Sequence, residues 1–196
     1  MSFVSIIASN QWISVVSDGN QVEASNEGEV QISLSKKPSF VRISEYQFIA
    51  CTGSEKRLKR IKRLFTFQDH PYKIDSAMLA QLKEEVTSVP SDRQDVLLAI
   101  ADAAEGCVCR MISNKPGARW ITLRPEYDRA ATLFLAGKGI DEQKISFLSD
   151  ECNRLLRHKE GKLDNAIIVQ TQLNRIAATL DATIGSRVFH LSIKAP

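Results

Sequence analysis

The 196-residue chain has few of the residues that would mark it as a metal, disulfide or membrane protein. Its four cysteines, Cys51, Cys107, Cys109 and Cys152, lie in apolar or helical surroundings with no CxxC pairing. That argues against a zinc site or a disulfide framework and leaves buried, reduced thiols as the expectation. The three histidines, His70, His158 and His190, sit in separate elements without ligand spacing, so no metal is expected. No glycine-rich phosphate loop is present, and no cofactor is expected. No apolar run is long enough to cross a bilayer, and the N-terminus lacks the basic start and long apolar centre of a secretory signal. The expected compartment is therefore the cytoplasm, with no membrane partner.

What is present is ordinary globular material: 43% hydrophobic and 25% charged residues, enough for one domain over 1–196 with a core that needs no covalent staple. A formal net charge of +3 is too small to imply a polyanionic partner. The one dense cationic stretch, KRLKRIKR at Lys56–Arg63, has no interleaved aromatics, so a solvated helix face is expected there and nucleic acid is not expected as a partner. Trp12 and Trp120 fit half-buried sheet surfaces. Arg110, Arg119, Arg124 and Arg129 recur around the middle strands, where they would either line an anionic pocket or form the solvated rows of a sheet edge.

Periodicity divides the chain into blocks. Residues 3–8 and 12–17 read as paired strands ending at the turn Asp18-Gly19-Asn20; 21–25, 30–34, 40–43 and 47–51 continue as strands. At Thr52-Gly53-Ser54 the period changes to about 3.6, with Leu58, Ile61, Leu64 and Phe65 on one face and Ser54 as N-cap. A second helix is predicted from Asp75 or Ser76 to about Val89. A third is predicted after Pro90-Ser91-Asp92, carrying Val96, Leu97, Leu98, Ile100 and Ala101 to about Ala104. Strands follow at 107–112, 120–123 and 130–135, then helices near 141–158 and 163–182, and a final strand at 187–193. Strands, helices, strands, helices and a last strand predict an α+β fold, accommodated by two stacked antiparallel sheets between two helical layers.

Ser2 opens the first strand directly behind Met1, and Asp18 follows sixteen positions later. Lys36 and Lys37 lie on the approach to a later strand, Ile49-Ala50-Cys51-Thr52-Gly53-Ser54 runs from strand into helix, and Asp181-Ala182-Thr183-Ile184-Gly185-Ser186 precedes the last strand. In these features the chain resembles the N-terminal nucleophile (Ntn) hydrolases of the proteasome β-subunit-like branch. The resemblance spans nearly the whole chain and implies a four-layer αββα sandwich with mainly antiparallel sheets.

It also implies roles. Ser2 would be the nucleophile once Met1 is removed, with its own α-amine as base; Asp18 would hold Lys36 or Lys37; Gly53 N–H would serve the oxyanion; and Asp181 would be the second acidic residue. Hydrolysis of an amide or peptide bond in a small-molecule or peptide substrate is the implied reaction, and a homo-oligomer the implied assembly. The chain starts on its first strand without a leading helix, which favours the catalytic branch. Two positions depart from the family: Ile184 and Lys138 stand where it has serines. They support the alternative of an inactive scaffold or binding module of the same fold. A third reading, resembling the archaeal IMP cyclohydrolases, would have the middle arginines converge on a nucleotide phosphate.

Overall fold

The computed structural model describes residues 2–24, 30–33, 37–127, 129–157 and 162–196. The first two strands, β1 (Val4–Ala8) and β2 (Trp12–Asp18), are buried along their entire length. They form the centre of a four-stranded antiparallel sheet, sheet A, flanked by β10 (Ala131–Leu135) and β11 (Val188–Lys194) in the order β10-β1-β2-β11. The second large sheet, sheet C, is β5 (Phe40–Arg42), β6 (Gln47–Thr52), β7 (Leu97–Asp102), β8 (Val108–Ser113) and β9 (Ile121–Leu123), again antiparallel throughout. A hairpin of β3 (Gln21–Ala24) and β4 (Val30–Ser33) pairs only with itself among the described residues.

Alternation along each strand sends side chains to two different interiors. Val4, Ile6 and Ala8 of β1, Ile13 and Val15 of β2, Phe48 and Ala50 of β6, and Ala99 and Ala101 of β7 meet between the two sheets. On the outer face of sheet C, Ile49, Cys51, Leu98, Ile100 and Ile112 pack against α1 (Glu55–Leu64) and α2 (Ser76–Thr87). On the outer face of sheet A, Phe3, Ile7 and Trp12 pack against α3 (Glu142–Arg157) and α4 (Leu163–Leu180). The result is the αββα sandwich. Fully burying one such Ile, Val or Phe is worth roughly 1.5–3 kcal/mol, so these three apolar sets dominate the stability.

One expected element is corrected. The segment read as a third helix, from about Asp92 to Ala104, is strand β7 at the centre of sheet C, between β6 and β8. A central strand covered on both faces carries apolar residues at every position, so Leu97-Leu98-Ala99-Ile100-Ala101 shows no polar alternation to separate it from a buried helix. The remaining helices and strands lie where periodicity put them, and the caps follow: Ser54 Oγ accepts from Arg57 N–H, and Asp75 accepts from Ala77 and Met78 N–H.

The basic run on α1 is largely engaged. Leu58 and Ile61 are buried, Lys59 pairs with Glu55 at 2.6 Å, and Arg60 and Arg57 converge on Glu85 of α2 at 2.6 and 3.5 Å. Glu85 is only 5% exposed, so it locks α1 to α2 from a partly dry site. Glu85→Ala should cost about 1–3 kcal/mol, because two guanidinium groups lose a buried acceptor, whereas Glu55→Ala should cost less than about 0.5 kcal/mol. Denaturant midpoints of the two variants check this; equal losses would contradict it.

Candidate functional site

The head of β1, the end of β2 and the turn before β11 meet at one end of sheet A. Register carries them there: Val4 pairs with Ser17 on one side and Leu135 on the other, so two residues back Ser2 lies opposite Gly19 and Gly137. Val188 pairs with Asp18, which brings the 181–187 segment to the same place.

Asp18 is the centre of this site. It is wholly buried, with Phe3 N–H donating to Oδ1 at 2.8 Å and Gly185 N–H donating to Oδ2 at 2.7 Å. The main-chain N–H of Asn20 adds a third bond. Burial pushes the carboxyl up from 3.8 to about 6, and the backbone donors from Gly185, Phe3 and Asn20 oppose that rise without cancelling it. The donors are main-chain groups because β1, β2 and the turn present their unpaired amides at the end of the ladder, where a carboxylate can take the place of a further strand.

Asp181 ends α4 and turns inward on its own loop: its Oδ1 accepts from Thr183 N–H at 2.9 Å and from Thr183 Oγ–H at 2.7 Å, and Ile184 N–H donates to its carbonyl at 3.0 Å. Its other carboxylate oxygen presses on Gly139, where a Cβ would come within 2.1 Å of it. The Gly137-Lys138-Gly139 corner after β10 is thereby held against the Asp181 turn, with Lys138 between the two glycines exposed. Ile184 is buried against the α3–α4 side of the sheet.

Gly53 closes β6 on the neighbouring sheet. Its φ is +94°, its carbonyl accepts from Gln94 Nε2, and a Cβ there would lie 1.9 Å from the Asp95 carbonyl oxygen, so no side chain fits. Two hydrogen bonds link this corner to the Asp18 strand: Ser39 N–H donates to Ser17 Oγ at 3.1 Å, and Cys51 N–H donates to the Ser39 carbonyl at 2.9 Å. Lys37, two residues before Ser39, is exposed, and its charge, after burial, helps lower the proton affinity of Lys62 on α1. Lys36 lies outside the described residues.

The structure therefore brings Ser2, Asp18 and the Asp181 turn together, puts Gly53 at the adjoining sheet corner, and places Lys37 at the surface. Ser2 itself is 3% exposed. Beside it a cleft of about 500 Å³ opens between the 95–97 and 113–115 segments of sheet C and the corner carrying Gly137 and Lys138. A larger cleft, about 730 Å³, lies at the far end of sheet A around Ser9–Trp12, remote from Ser2. Of the four middle arginines only Arg129 borders these clefts; Arg110 is on β8 and Arg119 and Arg124 flank β9, so they do not converge on one phosphate-sized site. The cysteine thiols are buried and pushed by that burial to about 12 at Cys51, Cys109 and Cys152, which makes them inert. Among the described residues no cluster of three or more His, Cys, Asp or Glu could hold a metal ion, and no helix is long and apolar enough to cross a membrane.

Sequence reasoning did not find the buried amides of α4, Gln170 and Asn174, or the Ser17–Ser39 link. The signal for the amides was present: two polar residues four apart on a face otherwise made of Ala166, Val169, Leu173 and Ala177.

Two stacked antiparallel sheets between paired helices, with a buried acid bracing the residue after an N-terminal serine, define the Ntn-hydrolase fold in its proteasome β-subunit-like form. The solved structures it is similar to include HslV from Trypanosoma brucei, 15% identical over 99% of both chains with a TM-score of 0.57. They also include BPH of Thiobacillus denitrificans, both in complex with epoxomicin (16% identity, 99% of both chains, TM-score 0.60) and without that ligand named (15%, 99% of this chain and 98% of that one, 0.57). No protein-family model and no curated protein matches the chain. The likeness is one of fold.

The Asp18 carboxyl sets a pH dependence whose sign is fixed. Its folded value, about 6, lies above its unfolded value of 3.8, so its contribution to stability is fully present below pH 3.8 and is lost as pH rises through about 6. The loss should be on the order of 3 kcal/mol. Denaturant midpoints measured between pH 4 and 6.5 should fall across that window in the wild type; Asp18→Asn, which does not titrate, should lack that component, and an identical profile in the variant would contradict the assignment.

Proposed function

We propose that the chain is an Ntn amidohydrolase or peptidase of proteasome-like type, a single domain over 1–196, whose nucleophile is Ser2 after removal of Met1. The observation that carries this reading is the bond from Phe3 N–H to the buried carboxylate of Asp18. It fixes the residue next to Ser2 at the edge of the 500 Å³ cleft.

With a free α-amine, the chemistry follows from the residues. The amine takes the proton of Ser2 Oγ–H as the oxygen attacks a carbonyl carbon, and it returns that proton to the departing nitrogen. The same amine then activates the water that hydrolyses the acyl-serine. The N–H of Gly53 is the proposed oxyanion donor, worth about 3–4 kcal/mol in such chemistry. Asp18 and a lysine hold the amine's surroundings; of the two candidates Lys36 is assigned this role, because Lys37 is exposed. Asp181 fixes the turn beside the amine. The substrate is a small amide or a peptide, the compartment the cytoplasm.

A second reading, an inactive scaffold of the same fold, is favoured by Ile184 and Lys138 and by the 3% exposure of Ser2. One covalent measurement separates the two. The intact mass of untagged protein should show loss of methionine, and a serine-reactive electrophile should then add once, at Ser2, with labelling that weakens below about pH 6 and disappears in Ser2→Ala. A retained methionine, or no adduct at Ser2, eliminates the hydrolase.

Assembly is proposed to be homo-oligomeric, with exposed Phe147 of α3 and Ile168 of α4 on the outer helical layer as contact residues. Light scattering should give a mass several times that of one chain, reduced by Phe147→Glu; a strict monomer at high concentration removes the proposal.

A further inference from the structure

Two amides are buried one helical turn apart where α4 crosses sheet A. Gln170 is spent on the sheet: Ser14 Oγ–H donates to its Oε1 at 2.6 Å, and its Nε2 donates to the carbonyls of Ser5 and Ser14 at 2.7 and 3.2 Å. Asn174, also wholly buried, reaches beyond the sheet, with Nδ2 donating to the Gly185 carbonyl at 2.9 Å. Its Oδ1 has no hydrogen-bond partner among the described residues. Leaving such an oxygen unsatisfied is destabilising, so packing alone would be better served by an apolar side chain; what the amide supplies is its NH2 group on the turn.

The same turn is held a second time. Asn20, at the end of β2, donates through Nδ2 to the Thr183 carbonyl at 3.1 Å. Carbonyls 183 and 185 are thus both gripped by asparagines, and the amide of Gly185 is left directed at Asp18 Oδ2. We infer that Asn174 and Asn20 are positioning residues for the Asp18 carboxylate, acting through the Thr183–Gly185 turn. The functional meaning of this clamp rests on the proposed role of Ser2 and Asp18; its physical effect on Asp18 does not.

The charged groups of the surrounding elements do not substitute for the clamp. Asp181 is bonded to Thr183, Arg187 lies over the Phe189 ring at 5.4 Å, and Arg175 and His190 are exposed. Removing either asparagine loosens the turn, withdraws an N–H from the ionised carboxylate, and leaves burial less opposed, so the Asp18 proton should bind more tightly.

Carbon-13 titration of the full chain tests this, with the Asp18 carboxyl signal assigned by its absence in Asp18→Asn. Asn174→Ala and Asn20→Ala should each raise its midpoint by about one pH unit. Gln170→Ala is the control: equally buried on the same helix, it should lower thermal stability and leave the midpoint in place. An unmoved midpoint in both asparagine variants, or an equal shift in Gln170→Ala, overturns the inference. Should Asn174→Ala fail to fold, the half-buried Asn20 decides it alone. Ser2 labelling is scored separately: a shifted midpoint without an adduct keeps the clamp and removes the hydrolase, and an adduct without a shift removes only the clamp.

Discussion

The arrangement at the end of sheet A depends on one buried carboxylate. Asp18 takes main-chain hydrogen from three separated pieces of chain, Phe3, Asn20 and Gly185, and so joins the first strand, the second strand and the turn before the last. An ionised group out of water costs several kcal/mol unless its lone pairs are filled, and here they are filled by amides that the strand ends would otherwise leave unpaired. Burial still outweighs the bonds, as the raised proton affinity records. At neutral pH the fold therefore carries a charge it would be more stable without. That is the kind of local cost that marks a site for chemistry rather than for stability.

The two outer interiors of the sandwich differ accordingly. Between sheet C and α1–α2 the packed set is apolar, Ile, Leu, Val, Phe and Met around Cys51, and the linking charge, Glu85, sits between the helices and not on the sheet. Between sheet A and α3–α4 the apolar set is interrupted by Ser14, Gln170, Asn174 and Asp18, all fully buried. This polar seam follows α4 from the middle of the sheet to the head of β1: Gln170 over Ser5 and Ser14, then Asn174 over the Gly185 turn, then Asp181 at the helix end. Sheet C and its helices act as a rigid support, and the seam directs hydrogen bonds towards Ser2.

What the sequence disclosed follows from how local each signal is. The β1–β2 hairpin, the change of period at Gly53 and the caps Ser54 and Asp75 are read within a few residues, and they stand as read. Strand β7 was misread because burial on both faces removes the alternation that distinguishes strand from helix. Asp18 and Asp181 could be named from spacing, but their bonds could not. Every donor to Asp18 is a backbone amide, which has no signature in residue type. Asn174 was missed for a related reason: a single amide in an apolar helix stripe is visible, yet its purpose depends on a turn eleven residues away.

The two departures from the family's serines bear on the same point. Ile184 gives the turn an apolar anchor in the α3–α4 set, so that turn is oriented by backbone bonds and by packing, with no hydroxyl at that position. Lys138 puts a flexible cation at the cleft where the family has a small polar group, and Gly139 keeps the corner close enough to Asp181 that only the main chain fits between them. Side chains have changed at both positions while the hydrogen bonds that define the site's shape come from main chain and from two asparagines. A site built this way holds its geometry through substitutions that alter its proton-transfer groups. Conservation of this fold therefore says little about turnover, and the state of the Ser2 amine says nearly everything.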